Sequence, residues 1–180
     1  MELTEQSKMT LAQWLDEWLE KHMTGTARPG TLEGYRKDMD NHVKPYLGEK
    51  LLIKLTSDDL RELYQLLLER GRKLPRQNCG PGLAPATVRG IHTTLHHALK
   101  TAADEGLIPF NPAEKVTPPR VQNTPKRVLT HDQTEKFLCA IRFNPIWHDF
   151  FYTELTTGLR RGELCGLTWD DFDSEAGTLK

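Results

Sequence analysis

The sequence predicts a mainly α-helical protein: a compact four-helix bundle, a basic linker, and the first helices of a mixed α/β unit. Apolar residues recur at helical spacing in four segments of the first part. A proline-rich stretch without periodicity follows, and capped helical segments then resume and end in a turn-and-strand pattern. We expect the boundaries of the three parts at residues 8–112, 113–128 and 129–180.

Two amphipathic helices are predicted near the N-terminus. Thr10 stands three residues before Gln13, the spacing of a capping box. The apolar stripe of the first helix is Leu11, Trp14, Leu15, Trp18 and Leu19. After the loop TGTARPG, the stripe of the second is Leu32, Tyr35, Met39, Val43 and Tyr46. We interpret both stripes as core-facing.

A third and a fourth helix complete the bundle. The segment LTSDDLRELYQLLLERG has Thr56 or Ser57 as its cap, acids in its first turn and Gly71 as its stop. The fourth helix begins at Pro85, a favoured first-turn residue, and ends near Gly106. Its apolar stripe is Val88, Ile91, Leu95, Ala98, Leu99 and Ala102. Four such helices within about a hundred residues can enclose a core.

The second half of the chain begins with the predicted linker, IPFNPAEKVTPPRVQNTPKR, which holds five prolines. Thr130 and Gln133 then form another capping box, and a further helix is predicted around Trp147 as far as Thr156. DFDSEAGTLK is typical of a turn entering one strand. A single strand cannot satisfy its own backbone, so we expect the chain to end within a domain.

The charges are unevenly distributed, although 24 basic and 25 acidic side chains almost cancel. No acid occurs from Arg70 through Ala103, and residues 70–127 carry a net charge of +7, which leaves −8 for the remainder. A surface strip of one sign favours a polyanionic partner, and nucleic acid is the class we expect.

Several function classes are excluded by what the sequence lacks. The three cysteines form no CxxC pair, which favours free thiols and argues against zinc. No stretch approaches the roughly 20 apolar residues of a membrane span, and MELTEQSKMT is unlike a signal peptide. No Gly-rich phosphate loop, HExxH pair or nucleophile elbow occurs. We therefore expect a soluble, cytoplasmic protein without metal or cofactor.

The side of the fourth helix opposite its apolar stripe carries small and basic residues without a carboxylate, which suits close approach to DNA. An ordinary solvated face is the alternative. His92 and His96 have the spacing of a metal-binding pair, but no third ligand is evident. The predicted DNA-binding residues are Arg28, Thr31, Arg36, Lys37, Arg72, Lys73, Arg76, Thr87, Arg89, Thr93, His96, His97, Lys100, Arg120, Lys126 and Arg127.

Two adjacent arginines stand in the segment TTGLRRGELCGLTWDDFD. A helical wheel places Arg160 on a face with two leucines and turns Arg161 to solvent. Gly158 and the threonines before it suit a helix start, so we expect Arg160 in a first turn, where an anion is favoured. A structural arginine paired with Glu163 or Asp170 is the alternative.

Four ordered segments carry a family resemblance: GTLEGYRKDMDNHVKPYLGEKLLIKLTSDDL, LAPATVRGIHTTLHHALKTAADEGLIPFNPAEKV, PKRVLTHDQTEKFL and the arginine segment. Together they resemble phage or transposon integrases of the tyrosine recombinase family. The first three are similar to the SAM-like core-binding domain and its linker. The arginine segment is similar to the first catalytic box of the family. The motif of that box is Gly-Leu-Arg, followed in order by an acid, Leu-x-x-Leu, an aromatic residue and Asp.

The resemblance implies site-specific recombination or integration of a mobile element. Its implied partners are double-stranded DNA and further recombinase protomers. It implies no cofactor, because the covalent bond between a tyrosine and the DNA phosphate conserves the energy of the phosphodiester bond. It further implies that Arg160 binds the scissile phosphate as the first catalytic arginine, with Glu163 as its supporting acid. The family's other catalytic groups lie downstream of this box. We therefore expect this chain to bind DNA but not to cleave it.

Two other functions are compatible with these patterns. One is a regulator that binds DNA without breaking it. The other is a helical protein-interaction domain whose basic strip contacts an acidic partner. Trapping of covalent DNA distinguishes the enzyme from the regulator, and titration of duplexes at low salt distinguishes both from the interaction domain.

Overall fold

A computed structural model describes residues 8–74, 79–122 and 125–179 of the protein. The chain forms two compact units, Met1–Asn123 and Thr124–Lys180. Both are mainly helical, as the sequence predicts, and the described ranges contain two short strands near the end of the chain. No helix in those ranges is long and apolar enough to cross a membrane.

The first unit begins with helix α1 (Leu11–Trp18), which continues as a wider π-type turn over Leu19–Met23. The predicted capping box is confirmed: the Gln13 N–H donates to Thr10 Oγ1 at 3.3 Å, and the Thr10 N–H donates to Gln13 Oε1 at 2.9 Å. The predicted stripe of tryptophan and leucine is fully buried. Local capping and core burial therefore agree on this helix.

The second predicted helix is broken into three pieces. It comprises α2 (Pro29–Asp38), a wider turn over Met39–Val43, and the short α3 (Lys44–Leu47). Met39 and Val43 are buried as predicted, but Tyr46 is 47% exposed, so its assignment to the core is wrong. A π-type turn contains one residue more than an α-helical turn. The residues after it therefore no longer lie on the face that regular helical spacing predicts.

Helix α4 (Ser57–Arg70) follows a short 3₁₀ turn at Leu52–Lys54. Its cap is Thr56, whose Oγ1 accepts from the Asp59 N–H at 3.3 Å while the Asp59 carboxylate accepts from the Thr56 N–H at 2.8 Å. Gly71 ends the helix as predicted. The structure thus decides between the two caps that the sequence left open.

Helix α5 (Pro85–Asp104) is the central helix of the first unit, and its predicted apolar stripe is completely buried. The Trp14 indole N–H donates to the Ala98 carbonyl at 3.0 Å, and the Trp18 indole N–H donates to Thr101 Oγ1 at 3.3 Å. These bonds satisfy the polar atoms of two large aromatic side chains that the core encloses.

The segment predicted as a linker begins inside the first unit. A 3₁₀ turn at Pro112–Lys115 follows the buried Asn111, and Ala113 and Val116 are buried in the core. A linker therefore stays a prediction only for residues 117–128, which we name the basic segment. Two apolar side chains that pack within a proline-rich stretch produce no periodic pattern in the sequence. The linker was therefore predicted to begin at residue 113, before the end of the packed segment.

The second unit contains α6 (His131–Ile141), α7 (Pro145–Thr157) and α8 (Arg161–Gly166). The Thr130 capping box and the helix around Trp147 are confirmed. The predicted single strand is instead a pair, with Phe172–Asp173 antiparallel to Thr178–Leu179. The edge contact of Phe137 with Phe151, whose ring centroids are 5.1 Å apart, joins α6 to α7.

Replacing Trp14 by phenylalanine tests the packing of α1 on α5. The change removes the hydrogen bond to Ala98 and leaves a void, so the free energy of unfolding should fall by about 2 kcal/mol. Trp169 is 88% exposed, and its replacement by phenylalanine is the control, with a change within about 0.5 kcal/mol. Denaturant unfolding followed by far-ultraviolet circular dichroism measures both. Equal losses in the two variants would contradict this account of the core.

Candidate nucleic-acid interface

The exposed side of α5 forms the centre of the candidate interface. The predicted residues Thr87, Arg89, Thr93, His97 and Lys100 are all exposed, and His96 is half-buried beside them. One helix thus buries its apolar stripe and presents these groups on the opposite side. We name this set, together with the exposed Gly90, the α5 face.

The acid-free composition of the α5 face does not extend to its last turn. The Lys100 ammonium forms an ion pair with Asp104 at 2.8 Å, which raises the pKa of Lys100. Lys37 of α2 is similarly paired with Glu33 at 2.6 Å. The sequence carried the signal for both pairs, since each acid stands four residues away on the same helix side. Their cations remain exposed, where a polyanion can compete for them.

Helix α2 supplies a second row of predicted residues. Arg28, Thr31, Arg36 and Lys37 are exposed. The apolar side of α2 packs on the core through the partly buried Leu32 and Tyr35. Contacts between α2 and α5 place the two helices next to each other in the same unit.

The starts of α2 and α5 differ from those of the other long helices. Threonine capping boxes close the starts of α1, α4 and α6. In contrast, the N-cap residues of α2 and α5 are Arg28 and Ala84, each followed by proline, and neither helix has a capping side chain or an acid in its first turn. Because the proline has no N–H and the third helical N–H donates to the N-cap carbonyl, one N–H in each first turn and the positive end of the dipole stay open to an anion. This signal is readable from the sequence as a non-capping residue followed by proline.

Two glycines lie in the interior of these helices without a packing reason. A methyl group added at Gly34 or Gly90 would meet no atom within 4 Å. Glycine inside a helix costs about 0.5–1 kcal/mol relative to alanine. The fold does not need these residues to be small, so their size matters only to something that approaches from outside.

His92 lies on the flank of α5, next to Tyr64 of α4. His92 Nδ1 lies 3.0 Å from the Tyr64 hydroxyl oxygen, and burial, then His96 and Arg89, lower the pKa of His92. Burial also raises the pKa of the Tyr64 hydroxyl. Across the described ranges, no three metal-binding side chains come together. The possible His92 and His96 metal pair therefore gains no third ligand there.

In the basic loop between α4 and α5, one arginine side chain binds a backbone carbonyl of the same loop. Arg72 is half-buried and its Nε donates to the Gly80 carbonyl at 3.0 Å, so this guanidinium closes the loop. Lys73 is exposed and donates to Asn41 Oδ1 at 3.0 Å. Arg76 lies outside the described residues. Of this group, Lys73 has the exposure that a surface contact requires.

The basic segment carries the three remaining predicted cations. Arg120, Lys126 and Arg127 are all exposed. The basic composition of the segment and the exposure of these three cations are both compatible with DNA binding. Their role in binding stays a prediction.

The arginine segment has a different local structure from the one predicted. Thr157 ends α7, and Gly158 follows in the left-handed conformation with φ of +70°. Arg160 is the N-cap residue of α8, just before its first turn. Its side chain is 87% exposed, so the prediction of a core-facing arginine is wrong. The wheel failed because α8 begins one residue later than assumed.

Arg160 and Glu163 nevertheless form a closed local pair. The Glu163 carboxylate accepts from the Arg160 backbone N–H at 2.8 Å and from its Nη1 at 3.1 Å. The acid therefore holds both the backbone and the guanidinium of the same residue, as in a capping box. One of the five guanidinium N–H donors is used in this pair, so the other four stay available to an anion. Of the two partners that the structural alternative named, Glu163 and Asp170, the observed one is Glu163.

A sequence profile described as the phage integrase N-terminal SAM-like domain matches residues 10–68. The solution structure of the phage integrase SAM-like domain from Moorella thermoacetica is 38% identical, covers 67% of this chain and 93% of its own, and has a TM-score of 0.51. The putative defective protein IntQ of Escherichia coli (strain K12) is 27% identical over 95% of this chain. The chain belongs to the tyrosine recombinase family.

A longer structural match covers both units of this tyrosine recombinase. The structure of the Tn1549 transposon integrase in complex with circular intermediate DNA is 26% identical, with a TM-score of 0.74 over 93% of this chain. The chain spans 52% of that integrase and 43% of IntQ.

Replacing Gly90 by alanine should separate stability from binding. The free energy of unfolding should rise by roughly 0.5–1 kcal/mol because alanine is the better helix former. Affinity for a DNA duplex should fall, because a methyl group then stands on the α5 face. Gln65 is exposed on α4, and its replacement by alanine should leave affinity unchanged. An unaltered Kd in the Gly90 variant would show that nothing approaches α5 closely there.

Proposed function

We propose that this tyrosine recombinase chain contributes DNA binding and the first phosphate-binding arginine to site-specific recombination. The observation that carries the proposal is the α5 face, which is exposed, rich in small and basic residues, and opposite a completely buried stripe. An α-helix of this kind fits the major groove of DNA, and its basic side chains reach phosphates or base edges.

The α2 and α5 starts support contact with the DNA backbone. Two adjacent helices that lack capping side chains and first-turn acids offer N–H groups to phosphates. Arg28 and Arg89 lie at or near these starts and add positive charge. The exposed Arg36 and Lys73 extend the basic surface beyond them.

In the second unit, Arg160 is proposed to bind the scissile phosphate. Glu163 accepts from its Nη1, so one edge of the guanidinium is held while the remaining donors stay free. Bidentate contact with a phosphate oxygen pair stabilises the negative charge that develops during transfer. Exposure of Arg160, which contradicted its predicted burial, is compatible with a ligand as large as a duplex.

The partners of the reaction follow from this proposal. Double-stranded DNA is the ligand, and other recombinase protomers would join in a synapse, as the family resemblance implies. The Tn1549 integrase, which shares this fold, is described in complex with circular intermediate DNA. No cofactor is proposed, because covalent attack by tyrosine in this family conserves the energy of the phosphodiester bond.

Replacing Arg89 and Lys100 together by alanine tests the α5 face. Each cation that contacts a phosphate releases counterions, so losing both should reduce the slope of log K against log salt by about 1.8. The Kd for a duplex should rise about tenfold at moderate salt. Fluorescence anisotropy across a series of salt concentrations measures both quantities.

The control removes the same charge elsewhere. Lys8 and Lys54 are exposed outside the predicted interface, and their joint replacement by alanine should leave the slope within error of the wild type. An equal decrease in both double variants would show that only net charge matters. Absence of duplex binding by the wild type at low salt would favour the helical protein-interaction domain instead.

Arg160 can be tested with a duplex in which single phosphates are replaced by uncharged methylphosphonates. At the position that Arg160 contacts, the replacement should weaken wild-type binding by about 1.5 kcal/mol, roughly tenfold, because a charged hydrogen bond is lost. The same replacement should have no effect on the Arg160→Ala variant. Arg161→Ala, which removes the exposed neighbouring arginine, is the matched control and should retain the wild-type pattern. Identical scans for all three proteins would exclude the proposed contact.

A further inference from the structure

The buried Asn111 joins two parts of the first unit. It is only 3% exposed, and both ends of its carboxamide are bonded. Oδ1 accepts from the Ala113 N–H at 2.9 Å, and Nδ2 donates to the His96 carbonyl of α5 at 3.1 Å. The reversed amide would set donor against donor, and aspartate would lack the donor altogether. Asparagine therefore fits this position for a specific chemical reason.

Helix α4 fastens the same segment from another side. The Ser57 hydroxyl donates to the Pro112 carbonyl at 2.7 Å, and Arg61 Nη2 donates to the Lys115 carbonyl at 3.1 Å. The buried Val116 side chain anchors the end of the turn in the core. Residues 112–116 are thus held by α4, α5 and the core at once.

The basic segment begins directly after this anchored turn. Its first cation, the exposed Arg120, follows the buried Val116 by four residues, so the turn sets the point from which Arg120 can reach a ligand. A tethered group binds more tightly when its tether is already held near the bound geometry, because less conformational freedom is lost. His96, whose carbonyl Asn111 binds, belongs to the α5 face.

We propose that Asn111 is a positioning residue for the DNA contact of Arg120 in the basic segment. Its carboxamide fixes the start of the segment relative to the α5 face, so that Arg120 engages the same duplex. This inference rests on the proposed DNA-binding function. Asn111 itself touches no DNA and acts through Ala113 and His96.

A double-mutant cycle tests this coupling. Asn111→Ser keeps a side-chain acceptor near the Ala113 N–H but removes the donor to His96, and it disturbs the core less than Asn111→Ala. Replacing Arg120 by alanine should reduce the salt slope by about 0.9 in the wild-type background. In the Asn111→Ser background the same replacement should change the slope less, because Arg120 is already mispositioned.

A matched control distinguishes positioning from general destabilisation. Thr94 is also buried on α5, and its hydroxyl donates to the Gly90 carbonyl of the same helix at 3.2 Å. Thr94→Val should lower stability yet leave the effect of the Arg120 replacement at its wild-type size. Additive effects in Asn111→Ser as well would overturn the proposal.

Hydrogen exchange without DNA provides a second readout. Asn111→Ser should accelerate exchange of the amides in residues 112–122 while α1 and α4 keep wild-type protection. Unchanged exchange in that segment would overturn the role of Asn111 whether or not DNA binds. A wild-type chain that binds no duplex would instead contradict the proposed function, so the two failures are distinguishable.

Discussion

Helix α5 is fixed by hydrogen bonds from three other parts of the first unit, and its orientation depends on them. Trp14 of α1 binds the Ala98 carbonyl, Tyr64 of α4 contacts His92, and the buried Asn111 binds the His96 carbonyl. Because these groups approach α5 from the core side or its flank, the opposite side is held open to solvent. The apolar stripe supplies most of the driving force, and the hydrogen bonds set which way the helix is rotated.

The two helices next to the proposed DNA surface are less optimised for stability than the rest of the unit. Capping boxes, worth about 0.5–2 kcal/mol each, close α1 and α4 but not α2 or α5. Gly34 and Gly90 add a further cost inside the same two helices. Residues that lower stability and lie together on one surface are typical of a binding site. In α2 and α5, the absence of capping side chains leaves the positive helix ends uncovered, and the glycines leave space for a ligand.

In the second unit, the proposed phosphate contact depends on one pair of residues. Arg160 is the N-cap residue of α8, and the Glu163 carboxylate accepts from its backbone N–H and from its guanidinium. An exposed ion pair of this kind adds little to stability. The proposed phosphate contact would give this pair a role beyond stability.

Elements with a local cause could be predicted from the sequence. The capping boxes at Thr10 and Thr130 and the apolar stripes of α1 and α5 follow from contacts within about four residues. Only the tertiary structure showed that Asn111 is buried against α5, that Arg160 is exposed, and that the wider turn before α3 carries Tyr46 out of the core. These outcomes depend on which distant segments pack together, and a periodic pattern along one helix holds no information about its neighbours.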